Sequence, residues 1–190
     1  VPGAQSVNED ASLSIAGISV NDVDGNLSTT QLTVSNGAIN VSLAGGATTS
    51  AGANGSSTLT LSGTQAQINA ALVTISYQGN ADFNGADTLT VLSTDGSGAT
   101  DSDAVAITVS SVNDGPVNTV PGAQTVNEDS TLSIAGISVN DVDGNLSTTQ
   151  LPVSSGALNV SLAGGATISA GANGSSTLTL SGTQAQINAA

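Results

Sequence analysis

Apolar and polar residues alternate in short runs along most of the chain, which is the periodicity of half-buried β-strands. A glycine, Gly17, allows a phase slip within the first run. Short polar turns separate the runs, and Ser35-Asn36-Gly37 between the second and third predicts a β-hairpin. About seven such runs indicate an all-β, Ig-like sandwich. The predicted strands lie within residues 10–20, 31–34, 38–43, 57–61, 73–77, 88–93 and 103–109.

One segment, residues 62–72, departs from the strand pattern. Thr64 and Gln67 have the spacing of a capping box just before a cluster of apolar residues. We therefore predict one or two turns of helix that cross between the two sheets. The chain has two aromatic residues, Tyr77 and Phe83, and we expect both to anchor the core near the loop that follows.

The chain repeats itself with a period of 119 residues, because residues 1–5 (Val-Pro-Gly-Ala-Gln) return as residues 120–124. Seven of the 71 aligned positions differ, and no acidic position is among them. A period of this length is the size of an independent domain. The sequence thus predicts one complete or nearly complete domain at 1–119 and a second copy at 120–190. The second copy stops inside the predicted helical turn, so we expect the native protein to continue.

Charge is entirely one-sided, with 14 acidic side chains and no Lys, Arg or His. No side-chain salt bridge can form, so carboxylates that come together repel one another unless a cation from solution lies between them. Nucleic acids and anionic membranes bind through Lys and Arg, and both are excluded as partners. No apolar run is long enough to insert into a membrane. Without His, Cys or Lys we expect no enzymatic activity.

Only oxygen atoms remain as metal ligands, because Cys, Met and His are all absent. This donor set favours hard cations such as Ca²⁺. The acidic residues gather in turns, and Asp22-Val23-Asp24-Gly25-Asn26 places two carboxylates and one amide around a point. Asp, Asn and Gly are also ordinary turn residues. The lack of basic neighbours favours calcium for the Asp-x-Asp turns, whereas the two interpretations are about equal for Asp82, Asp101 and Asp103.

Two segments carry a resemblance to a known family. Residues 89–96 (Leu-Thr-Val-Leu-Ser-Thr-Asp-Gly), followed by residues 104–117, resemble the last two strands and the linker of a cadherin-like domain. The unit is especially similar to the cadherin-like repeats of very large bacterial surface adhesins secreted by type I systems. The resemblance implies tandem cadherin-like sandwiches, an extracellular, cell-surface location, and Ca²⁺ at the junctions between repeats.

The resemblance also implies a set of metal ligands. At the junction between the two copies it implies Glu9, Asp87, Asn113 and Asp114 from one side, with Asp141 and Asp143 from the other. Asp22, Asp24 and Asp95 are then expected to face a preceding repeat, and Glu128 with Asp129 to serve the next junction. The linker Ser111-Val112-Asn113-Asp114-Gly115 lacks the first acid and last amide of the family pattern, so we expect one or two ions per junction.

These expectations lead to a mechanical hypothesis. The chain is predicted to be an extender of a long adhesin or surface fibre, whose partners are neighbouring repeats of the same chain and whose junctions Ca²⁺ stiffens. One alternative is a subunit of a self-assembling filament or sheath, with lateral association between chains. Another is a glycan- or ice-binding module that uses Thr-rich strand faces such as residues 57–61. A cell-surface or glycan target could also be reached through other domains.

Overall fold

The computed structural model describes all residues from 1 to 190, which form two compact units, Val1–Val112 and Asn113–Ala190. Each unit is built mainly of β-strands with one short helix, so the predicted all-β class is confirmed. The linker residues 113–119 belong to the second unit. The boundary between the two copies at residue 119 follows from the period of the sequence and stays a prediction.

The first unit has nine strands and one helix, where the sequence predicts about seven strands. Its elements are β1 (Gln5–Asn8), β2 (Ser12–Ser14), β3 (Leu27–Thr33), β4 (Gly37–Asn40), β5 (Thr48–Gly52), β6 (Thr58–Ser62), α1 (Gln65–Leu72), β7 (Ser76–Gly79), β8 (Gly85–Asp95) and β9 (Thr100–Ser110).

Two sheets make up the sandwich of the first unit. The larger has the strand order β1-β9-β8-β3-β6-β5, and the smaller has the order β2-β7-β4. Alternate residues of β3, β8 and β9 are buried, as the sequence pattern predicts. Leu32 and Leu89 from the larger sheet share one core with Ile39 and Tyr77 from the smaller. Phe83 packs against this core, so the predicted anchoring role of both aromatic residues is confirmed.

Helix α1 joins β6 of the larger sheet to β7 of the smaller, and so crosses between the sheets as predicted. Its capping box is present. The Gln67 N–H donates to Thr64 Oγ1 at 3.3 Å, and the Thr64 N–H donates to Gln67 Oε1 at 2.8 Å. Ile68, Ala71 and Leu72 are buried, so the helix covers one end of the core.

The predicted hairpin at residues 35–37 is wrong. Strand β3 pairs with β6 and β8, whereas β4 pairs with β7 in the other sheet. The turn instead carries the chain across the sandwich, because the N–H groups of Ser35 and Asn36 donate to the buried carboxylate of Asp87 at 3.0 and 2.9 Å. A contact distant in sequence therefore decides the direction of this turn.

The strands of the structure differ from the predicted ones in three further places. Of residues 10–20 only Ser12–Ser14 form a strand, although Ile15 and Ile18 are buried beyond it. The sequence pattern also does not predict β1, which pairs in parallel with β9, or β5, which lies at the sheet edge beside β6. Both are short and mostly polar, so their periodicity carries little signal.

The second unit contains five strands and one helix. They are β10 (Val117–Thr119), β11 (Ser138–Asn140), β12 (Thr148–Pro152), β13 (Thr167–Gly171), β14 (Thr177–Ser181) and α2 (Gln184–Asn188). Strand β10 pairs with β11, and the other three form a sheet in the order β12-β14-β13. Val139, Leu178, Leu180 and Ile187 form its core. Neither helix of the chain is long and apolar enough to cross a membrane.

Candidate metal centre

The Asp-x-Asp turn of the first unit is organised around Asp22. Its Oδ1 accepts the N–H groups of Asp24 and Gly25 at 3.0 and 3.2 Å. The backbone N–H of Asp22 donates to Gln65 Oε1 at 2.8 Å, so the start of α1 positions the turn. The second carboxylate oxygen of Asp22 is buried and has no hydrogen-bond partner.

Asp22 also lines an open cleft of about 310 Å³ at the same end of the first unit. Three more carboxylates line this cleft, those of Asp95, Asp101 and Asp103. Asp95 Oδ1 is held by the N–H groups of Ser97 and Ala99, each at 2.8 Å. The structure thus brings together Asp22 and Asp95, whereas the exposed Asp24 does not line the cleft.

The corresponding turn of the second unit has the same local structure. Asp141 Oδ1 accepts the N–H of Asp143 at 3.1 Å, and the Asp141 N–H donates to Gln184 Oε1 at 2.7 Å. Asp141 is only 5% exposed. A buried carboxylate is costly unless it is paired, bound to a metal or fully hydrogen-bonded, and this chain has no basic side chain to pair with it.

The linker folds back onto this second turn. The Asp114 N–H donates to Asp143 Oδ2 at 2.6 Å, and Asn145 Nδ2 donates to Asn113 Oδ1 at 2.5 Å. A carboxylate oxygen of Asp114 and one of Asp143 lie within 4.8 Å of each other. Four of the predicted ligands, Asn113, Asp114, Asp141 and Asp143, therefore meet within the second unit. Asn145 was not among them, although its place in Asp-x-Asp-Gly-Asn is the signal that could have found it.

Glu9 lies in a polar cluster of the first unit. The residue is only 5% exposed. Its carboxylate accepts hydrogen bonds from the Val112 N–H at 2.6 Å and from Asn84 Nδ2 at 3.4 Å. Next to it, Asp10 Oδ1 accepts the Asp82 N–H at 3.2 Å, and a carboxylate oxygen of each lies within 4.8 Å of the other. This Asp10–Asp82 pair is absent from the predicted ligand set, because the two residues lie far apart in sequence.

Asp10 and Asp82 also share an unusual backbone. Their φ angles are 60° and 57°, in the left-handed region that Asp tolerates better than most residues. Asp129, the counterpart of Asp10 in the second copy, has a φ of 62°. The local turn therefore forms in both copies. Its neighbour Glu128, predicted as a ligand for a following junction, is exposed, whereas its counterpart Glu9 is buried.

Asp87 is buried in the first unit and has a full set of hydrogen bonds. Its Oδ1 accepts the N–H groups of Ser35 and Thr88, and its Oδ2 accepts the Asn36 N–H and the Tyr77 hydroxyl. These four bonds satisfy the carboxylate without a cation. Burial of Tyr77, followed by this hydrogen bond and the charge of Asp87, raises the pKa of its hydroxyl well above the usual value.

Comparison with known proteins gives one family similarity. Residues 15–104 match the family model of the Protein GAMETE EXPRESSED 2 domain. The match covers a little under half of the chain and lies inside the first unit. No curated protein sequence matches the chain.

The match with the GAMETE EXPRESSED 2 domain overturns two expectations. The resemblance to cadherin-like repeats of bacterial type I-secreted adhesins is wrong, because the segment that carries part of it matches a domain named for a gamete-expressed protein. The function drawn from it, an extender of a long adhesin or surface fibre, is wrong with it, and the filament and glycan- or ice-binding alternatives gain no support. The match does not test metal binding, so the Ca²⁺ ligands stay predictions.

Proposed function

We propose that this chain is a non-enzymatic β-sandwich segment that binds Ca²⁺ through the second Asp-x-Asp turn and the linker folded onto it. The approach of Asp114 to Asp143 carries the proposal, since their carboxylate oxygens lie within 4.8 Å in a chain without Lys, Arg or His. At about 4 to 5 Å, two carboxylates repel by roughly 1 to 4 kcal/mol at effective dielectrics between those of water and a protein surface. A divalent cation converts this repulsion into attraction.

The donor set fits Ca²⁺. The residues that would hold it are Asp114, Asp141 and Asp143, with the amide oxygens of Asn113 and Asn145 nearby. All are hard oxygen donors, which Ca²⁺ prefers and which soft transition metals do not. Bound there, Ca²⁺ would supply charge neutralisation and no redox chemistry. The backbone N–H bonds to Asp141 and Asp143 hold both carboxylates in place before an ion arrives.

The absence of enzymatic activity is part of the proposal. The chain has no His, Cys or Lys, which are the side chains that most often act as bases or nucleophiles near neutral pH. The one cleft described above is lined by carboxylates and by apolar and small polar residues, with no basic side chain to hold an anionic substrate. The lack of Lys and Arg also argues against nucleic acid as a partner.

We place the protein outside the cell. Acidic oxygen sites of extracellular modules bind Ca²⁺ in the range of about 10⁻⁴ to 10⁻³ M, which extracellular concentrations satisfy. The similarity to the GAMETE EXPRESSED 2 domain supports expression in gametes. Immunostaining of gametes and somatic cells of the source organism with an antibody against residues 1–112 tests this part, and equal or absent staining in gametes contradicts it.

Calorimetric titration of residues 1–190 with CaCl₂, after chelator treatment, tests metal binding. The repeat supplies a matched pair of variants, Asp143→Asn and Asp24→Asn. Asp24 is the counterpart of Asp143 in the first copy, and the bond that Asp143 accepts from the Asp114 N–H has no equivalent at Asp24. We expect Asp143→Asn to weaken Ca²⁺ binding by about tenfold or more, the range seen when a metal site loses a supporting group. Asp24→Asn should leave it unchanged.

Two further measurements complete this test. MgCl₂ should compete poorly, because Mg²⁺ demands a smaller octahedral site and dehydrates reluctantly. Circular dichroism in chelator should be the same for both variants, which shows that each is folded. If the unaltered chain gives no saturable Ca²⁺ binding, or if the two variants weaken binding equally, the proposed centre at Asp114 and Asp143 is wrong.

A further inference from the structure

The motif Asn-x-Ser occurs three times in each copy of the repeat. With any residue except Pro in the middle, it is the acceptor for N-linked glycosylation in secreted proteins. Ser and Thr are abundant in this chain, so the motif arises easily, and the surroundings of each asparagine determine whether the folded chain accommodates a sugar there. In the first unit the motifs begin at Asn26, Asn40 and Asn54.

The side-chain amide of Asn54 holds the backbone of Val41. Its Oδ1 accepts the Val41 N–H and its Nδ2 donates to the Val41 carbonyl, each at 2.9 Å. A planar amide that makes both bonds to one residue uses the N–H on the same side as its oxygen. A sugar attached to a trans amide occupies that same position, so glycosylation of Asn54 removes the hydrogen that bonds Val41. The same pair of bonds joins Asn173 to Val160 in the second copy.

Asn26 is engaged more weakly. Its Nδ2 donates to Ser97 Oγ at 3.3 Å, at the end of the first Asp-x-Asp turn. Its counterpart Asn145 donates to Asn113 within the proposed Ca²⁺ centre. A sugar on either asparagine would compete with the contacts of its turn.

Asn40 differs from both, because it is exposed and its side chain makes no hydrogen bond. It is the last residue of β4 and follows the buried Ile39, so it lies on the outer face of the smaller sheet. Ser76 lies opposite it in β7, and Ser14 lies opposite Ser76 in β2, so its neighbours across the sheet are small. Ser42, the third residue of the motif, is exposed as well.

We propose that Asn40 is an N-glycosylation site whose glycan covers the outer face of the smaller sheet. This inference rests on the proposed location outside the cell, because secreted proteins meet the glycosyl-transferring enzyme of the secretory pathway. In the reaction, Asn40 Nδ2 forms a bond to the anomeric carbon of an oligosaccharide carried on a lipid diphosphate. The bond from that carbon to the diphosphate oxygen breaks, the diphosphate leaves with the electron pair, and the nitrogen loses one proton.

Secretion of residues 1–190 from cultured eukaryotic cells, behind a cleavable secretion signal, tests the proposal. Chymotryptic cleavage after Leu32, Leu43 and Leu59 separates Asn40 from Asn54, and these peptides differ in sequence from those of the second copy. Peptide N-glycanase in heavy-oxygen water converts each glycosylated asparagine to a labelled aspartate, which mass spectrometry detects. We expect the label at Asn40 in most of the secreted chain and little at Asn54. An unlabelled Asn40, or equal labelling of the two, overturns the proposal.

Two variants of Ser42 supply matched controls. Ser42→Ala removes the hydroxyl that the motif requires and should abolish the glycan at Asn40, whereas Ser42→Thr keeps a hydroxyl and should retain the glycan. Urea denaturation followed by the fluorescence of the single tyrosine, Tyr77, should be the same for both variants after the glycan is removed. A glycan that persists in Ser42→Ala, or that is lost equally from both variants, overturns the proposal.

The same digestion of the protein isolated from gametes separates this inference from the proposed function. A glycan at Asn40 in both samples supports the inference. A glycan on the secreted chain alone overturns the modification of the native protein because its location is wrong. Absence from both samples overturns it because the surroundings of Asn40 do not accept a sugar. Asn40 is not among the proposed Ca²⁺ ligands, so Asn40→Gln should bind Ca²⁺ as the unaltered chain does in every case.

Discussion

The hydroxyl of Tyr77 donates a hydrogen bond of 3.0 Å to Oδ2 of Asp87, in the interior of the first unit. The tyrosine comes from the smaller sheet and the aspartate from the larger, so this bond joins the two layers of the sandwich. The same aspartate holds the turn between β3 and β4 through Ser35 and Asn36. One buried carboxylate thus organises both the turn and the contact between the sheets.

The first prediction concerns alkaline pH. Burial and Asp87 raise the pKa of Tyr77, so the folded state favours the neutral phenol. This contribution to the free energy of unfolding is complete below the unfolded pKa of about 10 and is lost as the pH rises above it, by up to about 1.4 kcal/mol per pH unit. Tyr77 is the single tyrosine, and Lys, Cys and His are absent, so no other side chain titrates in this alkaline range.

Urea denaturation between about pH 8 and about pH 11 measures this effect. Tyr77→Phe should cost about 1 kcal/mol at neutral pH through the lost hydrogen bond. It should also remove the decline in stability above about pH 10. A decline of equal size in the phenylalanine variant would contradict the assignment to Tyr77.

The second prediction concerns Asp87 itself. Asp87→Asn removes a charged acceptor from four hydrogen bonds and should lower the free energy of unfolding by roughly 3 kcal/mol. Asp82→Asn is the matched control, because Asp82 is exposed and Asn also tolerates its left-handed backbone, and should change stability by less than about 0.5 kcal/mol. The loss in Asp87→Asn should be the same in Ca²⁺ and in chelator. A loss seen only in Ca²⁺ would instead support Asp87 as a metal ligand.

The third prediction uses the capping box of α1. Thr64→Ala leaves an N–H of the first helical turn without its side-chain acceptor and should cost about 1 kcal/mol. Thr64→Ser keeps the hydroxyl and should retain most of that stability. Urea denaturation followed by circular dichroism measures both. Equal losses in the two variants would show that the methyl group of the threonine, and not its hydroxyl, is what matters.

This helix also shows what the sequence predicts well. Thr64 and Gln67 are three residues apart, and the bonds between them depend on local geometry alone, so the pattern suffices. The same holds for Asp22 and Asp141, whose turns form in both copies with the same bonds. Features that arise within a few residues are therefore predicted from the sequence.

The features that the sequence does not predict depend on distant partners. Residues Gln5–Asn8 form β1 beside β9, yet the nearly identical residues 124–127 form no strand, because the second unit has no counterpart of β9. Glu9 and Glu128 differ in burial in the same way. Likewise, Asp87 redirects the turn at residues 35–37 across about 50 positions of sequence, which no local pattern records.

The last prediction compares Ile15 and Ile134, which occupy the same position in the two copies. Ile15 is completely buried, and its N–H donates to the carbonyl of Ile75 at 2.9 Å, whereas Ile134 is 45% exposed. Ile15→Ala should lower the stability of the first unit by about 2 to 5 kcal/mol, through lost apolar burial and the cavity left behind. Ile134→Ala removes the same atoms from a position in contact with water and should cost less than about 1 kcal/mol.

Fluorescence of Tyr77 makes this comparison specific, because the chain has no tryptophan and its single tyrosine lies in the first unit. Urea denaturation followed by this signal should shift to lower concentration in Ile15→Ala and stay in place in Ile134→Ala. Circular dichroism, which reports on both units, gives the cost in the second. Similar shifts of the tyrosine transition in both variants would show that identical residues contribute equally despite their different burial. In that case the type of residue, and not its burial, would determine how much each isoleucine contributes to the free energy of unfolding.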